Sequence, residues 1–235
     1  MKKINQLLIA GGILVASSSA QAVLMNFQGL ADGGVIGESA WTTFNTTADG
    51  PYSAPEIEVT ASPSGSYVYF DAGTAGMGVC SSTITGGTGA QGSNKSSICD
   101  DAADDNITNN VTVGPEGLIF TFKESSSMNV IWFNNNHDGG NLDGKTFSLS
   151  INGGAATSYS FGSIVEPGTL GYAFDLAANG LTSTFAAGDS VSVAYDTANT
   201  GNQFYVSAID VPEPAIVALL GLGLVGIGFA RRTKK

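Results

Sequence analysis

The stretch Thr146-Phe147-Ser148-Leu149-Ser150-Ile151-Asn152-Gly153-Gly154-Ala155-Ala156-Thr157-Ser158-Tyr159-Ser160-Phe161 decides the fold class. Its first arm alternates apolar residues with hydroxyls, the period of a strand with one face buried. Asn152-Gly153 supplies the positive φ angles of a tight hairpin turn, so Thr146–Ile151 and Ala156–Phe161 fold back on one another. Upstream, Gly117–Lys123 and Met128–Asn134 are apolar on both faces, with Ser125-Ser126-Ser127 as the turn between them. They read as central strands of a core. Downstream come Leu170–Leu176, Ser190–Tyr195 and Gln203–Asp210, the last two joined by the polar run Asp196–Asn202.

The N-terminal side continues the pattern. Val23–Gln28 reads as a first strand, followed by a Gly/Thr-rich loop through Pro55. Glu56–Thr60 and Ser66–Asp71 follow, separated by the turn Pro63-Ser64-Gly65. In Ser66–Asp71 the tyrosines Tyr67 and Tyr69 share one face and Val68 and Phe70 the other. Strands at short, regular spacing, without a helical period or an internal repeat, predict an all-β chain folded as a single β-sandwich with jelly-roll-like topology. Between Ala72 and Gly114 the alternation breaks down among glycines, with a short strand around Gly76–Cys80. A loop of about 40 residues in a compact domain calls for a tether or a function.

Cys80 and Cys99, the two cysteines of the chain, offer that tether. The loop between them is Gly/Ser/Thr-rich, and closing it contributes about 3 kcal/mol on the chain-entropy account. Metal ligation would need histidine or further cysteine nearby, and a redox pair would need closer spacing. A disulfide in an oxidising compartment is therefore expected.

Both ends of the chain differ from its middle. Lys2 and Lys3 precede the apolar run Ile4–Val15, and Ala20-Gln21-Ala22 fits a signal peptidase site before Val23. Residues 1–22 are thus expected to be a signal peptide. At the other end, Val211-Pro212-Glu213-Pro214 is followed by the apolar run Ala215–Ala230 and then by Arg231-Arg232-Thr233-Lys234-Lys235. The run would make about 24 Å of helix at 1.5 Å per residue, a little short for a bilayer core. Residues 23–210 lie between these ends and carry three cations against 19 acids, a net charge of −16. Such a surface repels nucleic acid and anionic lipid, and it suits divalent cations or neutral partners such as sugars.

The C-terminal arrangement resembles the PEP-CTERM sorting tail of Gram-negative bacteria that make extracellular polysaccharide. The resemblance spans residues 211–235: the motif 211–214, a transmembrane segment 215–230 and a basic tail 231–235. It implies export through the general secretory route, removal of the signal by signal peptidase, and transient anchoring in the inner membrane with the body outside the cytoplasm. An exosortase would then act at the motif and release the body to the cell surface or the extracellular matrix. Ala22 and Val23 would flank the first cut, with Val211, Pro212, Glu213 and Pro214 at the second. Arg231 and Arg232 would hold the cytoplasmic end. The body also resembles other PEP-CTERM ectodomains in the order Gly76-Met77-Gly78-Val79-Cys80, an acidic Asp/Asn stretch, then Glu116-Gly117-Leu118 before a Phe-rich strand.

Residues for chemistry are sparse. His137 is the one histidine, and no Gly-x-Ser-x-Gly accompanies it, so a nucleophile–base pair has no material and a non-enzymatic role is expected. A polysaccharide hydrolase would need two carboxyl groups across a cleft, and Glu56 and Glu58 instead project from one strand. Calcium, which takes several oxygen ligands, has two candidate stretches. One holds Asp100, Asp101, Asp104 and Asp105; the other holds Asn134, Asn136 and Asp138, spaced like the start of an EF-hand loop but with Lys145 where its last glutamate belongs. Sugar faces would stack on exposed aromatic rings, and Tyr67, Tyr69 and Trp132 are the candidates. These readings predict a structural or glycan-contacting component of an exopolysaccharide or biofilm matrix. A calcium-dependent carbohydrate-binding module or adhesin is the alternative, and a hydrolase the third possibility.

Overall fold

The computed structural model describes residues 22–33, 36–81, 95–96, 99, 106–110, 112–135, 140–166, 170–198 and 203–212. Within them the chain is all-β, built of antiparallel sheets. The larger sheet runs, edge to edge, Ser163–Glu166, Gly171–Asp175, Val130–Asn134, Tyr205–Pro212, Gly76–Cys80, Tyr67–Asp71, Ser39–Trp41 and Lys95–Ser96. Ala22–Asn26 also pairs with Tyr205–Pro212, on the far half of that strand. The smaller sheet runs Thr157–Ser160, Thr146–Ile151, Ser190–Tyr195, Gly117–Phe122, Ile57–Ser62 and Phe44–Asn45. From Gly76 onward the long strands pass back and forth between the two sheets.

Alternation explains where the core lies. Leu118, Phe120 and Phe122 are fully buried on one strand, and Val191 and Val193 on its neighbour. The inward residues of both sheets belong to one hydrophobic cluster. Its centre is aromatic: the Phe147 ring from the smaller sheet lies 4.6 Å from Phe133 and 4.9 Å from Phe174 of the larger. Burying such rings is a large favourable term in the fold.

The hairpin forms as its sequence requires. Asn152 and Gly153 have φ of 52° and 65°, and Gly154 N donates to Ile151 O at 2.9 Å. The Asn152 amide also reaches the next strand, accepting from Ser190 N at 2.7 Å and donating to Asp189 Oδ1 at 2.9 Å. Ser66 N donates to Pro63 O at 3.0 Å, closing the expected turn, and Gly65 has φ of 95°. That turn carries the chain from the smaller sheet to the larger.

Several elements differ from the sequence reading. The first strand stops at Asn26, whose side chain caps Gly29 N at 2.7 Å and starts the helix Phe27–Asp32. Phe27, Leu30 and Ala31 of this helix are buried in the core. One and a half turns are too short to show a period, so the sequence carried only the cap. Ser163–Glu166 forms an edge strand not expected from the sequence, and Ser126–Ser127 pairs with Thr184–Phe185 where a bare turn was expected. The last strand runs to Pro212 instead of stopping at Asp210, because Ala22–Asn26 gives it a neighbour to the end.

Alkaline behaviour follows from the tyrosines. Partial burial against the core pushes the Tyr52 hydroxyl up to about 12, a backbone hydrogen bond at Asn26 opposing the shift. A raised folded-state value means that the folded form keeps its proton while the unfolded chain ionises near pH 10. Stability from this group is therefore fully present below about pH 10 and lost by about pH 12. Denaturant midpoints across that window should fall less steeply in Tyr52→Phe than in the parent chain.

Candidate functional site

The closing strand Tyr205–Pro212 and the opening strand Ala22–Asn26 form the first candidate region. Their register pairs Asn26 with Ala208, Met25 with Ile209, Leu24 with Asp210, Val23 with Val211 and Ala22 with Pro212. Up to Asp210 the closing strand has a second neighbour, Val130–Asn134, and Asn129 N donates to Asp210 O at 2.9 Å. Beyond Asp210 the ladder to Ala22–Asn26 alone continues. Val211 is fully buried in the main core, with Val23 packed against it as a partly buried neighbour. Residues expected to flank the N-terminal cut therefore stand beside the first residues of the C-terminal motif. Glu213, Pro214, Arg231 and Arg232 lie outside the described residues.

A second region surrounds the disulfide. Cys80 and Cys99 are bonded, with Cα atoms 5.8 Å apart. With Ala40 and Tyr69 they form a small cluster separate from the main core, and the half-buried Tyr67 packs against it. Tyr69 is buried there, and its hydroxyl donates to Glu38 Oε1 at 2.6 Å. Burial, followed by the nearby Glu38 carboxylate, pushes that hydroxyl far above the ordinary tyrosine range. The stacking faces of Tyr67 and Tyr69 thus serve the disulfide cluster. Trp132 lies half-buried on a strand separated from theirs by Tyr205–Pro212 and Gly76–Cys80, roughly 14 Å away at the spacing of neighbouring strands. The three aromatic candidates do not form one platform.

Next to the disulfide sits a carboxylate that the sequence placed before a Phe-rich strand without giving it a role. Glu116 is fully buried. Its Oε1 accepts from the Ser81 hydroxyl, and its Oε2 from Thr108 N at 3.1 Å. Asn110 Nδ2 donates to Ser81 Oγ at 3.0 Å. The Glu116 backbone joins in, its N–H donating to Thr108 O at 2.9 Å and its carbonyl accepting from Tyr195 N at 2.8 Å. A buried carboxylate is tolerated when hydrogen bonds replace its water. This one ties Ser81, just past Cys80, to the 106–110 segment and to the start of a central strand.

The third region is the loop end after Asn134. Asn134 pairs with Tyr205 while Val130 pairs with Asp210, so this loop leaves the end of the larger sheet opposite Pro212. The strand between those ends is eight residues long, so they lie roughly 23 Å apart. Asn134 is buried, and its amide donates to Ala75 O at 2.6 Å, bracing the turn between two neighbouring strands. The Asn135 carbonyl accepts from Gly140 N at 3.0 Å. Asn141 Oδ1 accepts from the Tyr172 hydroxyl at 2.7 Å and from Asp143 N at 2.7 Å. Burial and the Asp143 carboxylate raise the Tyr172 hydroxyl above its usual value. Asn136 and Asp138, like Asp100, Asp101, Asp104 and Asp105, lie outside the described residues. Among the described residues no three His, Cys, Asp or Glu side chains converge as a metal site.

The carboxylates weighed for hydrolysis are engaged in packing the smaller sheet. Glu58 pairs with Lys123 at 2.9 Å, and Glu56 accepts from Asn45 Nδ2 at 2.7 Å.

Comparison with known proteins finds one family. Residues 210–234 match the PEP-CTERM protein-sorting motif. The matched stretch supports an exosortase substrate, exported and held in the membrane as a sorting intermediate. It begins at Asp210, inside the closing strand, so the motif and the folded body share three residues. No curated protein and no solved structure matches the chain. Among the described residues no helix is long and apolar enough to cross a membrane, and Ala215–Ala230 lies outside them.

Proposed function

We propose that this chain delivers a non-enzymatic jelly-roll β-sandwich to the cell surface or extracellular matrix, where it serves as a structural or glycan-contacting component of an exopolysaccharide or biofilm matrix. The carrying observation is the sorting motif at residues 210–234, continuous with the strand that closes the body. The strand order supports the jelly-roll reading. Gly171–Asp175, Val130–Asn134, Tyr205–Pro212 and Gly76–Cys80 are neighbours in one sheet. Thr157–Ser160, Thr146–Ile151, Ser190–Tyr195 and Gly117–Phe122 are neighbours in the other. Taken in chain order they wind as two Greek keys.

In this reading Met1–Ala22 is removed on export, and an exosortase frees the body from the anchor Ala215–Ala230. Asn134, where the Asn/Asp-rich stretch begins, stands at the end of the larger sheet opposite Ala22 and Pro212. The net charge of −16 over residues 23–210 keeps the released body soluble and favours neutral polymers over anionic ones.

The test is retention of the purified released protein on matrix polysaccharides from the host, with calcium and with chelator. Retention without change in polymer length is expected. Retention lost with chelator would shift the reading to a calcium-dependent binding module, and shortened polymer would shift it to a hydrolase. No retention under any condition would sink glycan contact.

A further inference from the structure

On the glycan-contacting reading above, we propose that the outer face of the larger sheet around Trp132 is a sugar subsite, taking one pyranose ring of an uncharged polysaccharide. The chain's two tryptophans stand in contrasting places. Trp41 is buried, donates its indole N–H to Ser39 Oγ at 2.9 Å and lies 5.5 Å from the Phe44 ring. Trp132 is half-buried between Ile131 and Phe133, which both point into the core, so its own side chain leaves on the outer face. Among the described residues its indole N–H donates to no protein atom, and its ring meets no other ring. A tryptophan packed for stability ordinarily finds such partners.

The neighbours of Trp132 keep that face flat. Ala173 and Ala208 stand opposite it on the two adjoining strands. One rung along, Val130 pairs with Asp175 on one side and Asp210 on the other. Both aspartates are therefore diagonal neighbours of Trp132, their backbones roughly 7–8 Å from its own. Each carboxylate has one oxygen engaged: Asp175 Oδ1 accepts from Ala178 N at 2.8 Å, and Asp210 Oδ2 from Asn129 Nδ2 at 3.4 Å. Among the described residues the other oxygen of each accepts from no protein donor. Leu24, opposite Asp210 on the N-terminal strand, extends the apolar floor and is 44% exposed.

An indole plate between small residues, with two carboxylates at one end, matches a pyranose ring. The C–H face of the sugar lies on the indole, and its hydroxyls donate to the carboxylate oxygens. The indole N–H donates to a sugar oxygen in turn. Other occupants are disfavoured by the same two charges. A second copy seated here across a two-fold axis would bury the carboxylates against their own counterparts. An anionic polymer or lipid surface would meet them with its own negative charge.

The test uses uncharged exopolysaccharide purified from the host, with a polyuronate as the charged comparison. The released protein is prepared as the parent and as Trp132→Ala, Trp132→Phe and Asp175→Asn, and urea midpoints check that each variant is folded. On an affinity gel Trp132→Ala should weaken retention by the uncharged polymer about tenfold or more. Trp132→Phe should recover part of that loss, and Asp175→Asn should weaken retention severalfold. In the parent the polymer should also shield tryptophan fluorescence from acrylamide, and in Trp132→Phe it should not. Where Trp132→Ala fails to fold, the other two variants decide. Parent and tryptophan variants retained equally well would overturn the subsite and leave the glycan reading standing. A parent that no polymer retains would overturn that reading and the subsite with it. Equal retention by the polyuronate would overturn the preference for an uncharged chain.

Discussion

Phe147→Ala is expected to cost the body about 3–5 kcal/mol, the range for deleting a fully buried aromatic side chain. Phe147 is fully buried, and it sits where the two sheets meet. Its ring lies 4.6 Å from Phe133, 4.9 Å from Phe174 and 5.0 Å from Phe161, with Phe204 at 6.5 Å. Phe133, Phe161 and Phe204 also contact one another, so the truncation opens a void whose walls are held by other packing. A wall that cannot collapse leaves the cavity term at full size. Phe147→Leu fills most of the space and should cost markedly less. Urea titration of the two variants against the parent reads both numbers. A loss below about 1 kcal/mol for the alanine variant would mean that the ring cluster is not the centre of the core.

Removing the disulfide should have the next largest effect. Cys80 and Cys99 are separated by 19 positions, and opening a loop of that size costs about 3 kcal/mol on the chain-entropy account. The small cluster of Ala40, Tyr69, Cys80 and Cys99 is separate from the main core. In Cys80→Ser/Cys99→Ser the denaturation midpoint should drop accordingly. Tyr69 should lose part of its burial, bringing its hydroxyl back toward the ordinary range in a spectrophotometric titration. An unchanged midpoint would show that the Glu116 network holds this edge by itself, and the paired variant Glu116→Gln would then carry the loss.

Much of this architecture was legible because it rests on local signals. Asn152-Gly153 can hardly be other than a tight turn, and the alternation at Leu118, Phe120 and Phe122 places a strand with a buried face. Two cysteines leave a single pairing, and it is formed. The helix Phe27–Asp32 was not legible, since six residues give no period and Asn26 reads equally well as the end of a strand. Glu116 was hidden for another reason. Its partners Ser81 and Thr108 stand 35 and eight positions away, so only the fold brings them to its carboxylate. Asn134 looked like a free oxygen ligand in a polar loop, yet its amide hydrogen bonds across 59 positions to the Ala75 carbonyl. The tyrosines at 67 and 69 could be placed on a common face from the period alone. That the face is capped by a disulfide depends on where a long glycine-rich connection returns.

The closing strand gives the same lesson at the functional end. A proline in the sorting motif reads as the end of structure, because it lacks the N–H that a ladder uses. Here the ladder tolerates Pro212 as its last member, and the body and its sorting signal overlap. Val211 belongs to the core and lies within the matched stretch at once.

The most direct test is to follow the full chain in its host with and without the exosortase, separating inner membrane, cell surface and medium. With the enzyme present, the disulfide-closed body should leave the membrane without Arg231–Lys235; without it, the body should stay in the inner-membrane fraction with that tail attached. Release to the surface or medium that is equally efficient in the absence of the exosortase would contradict the account.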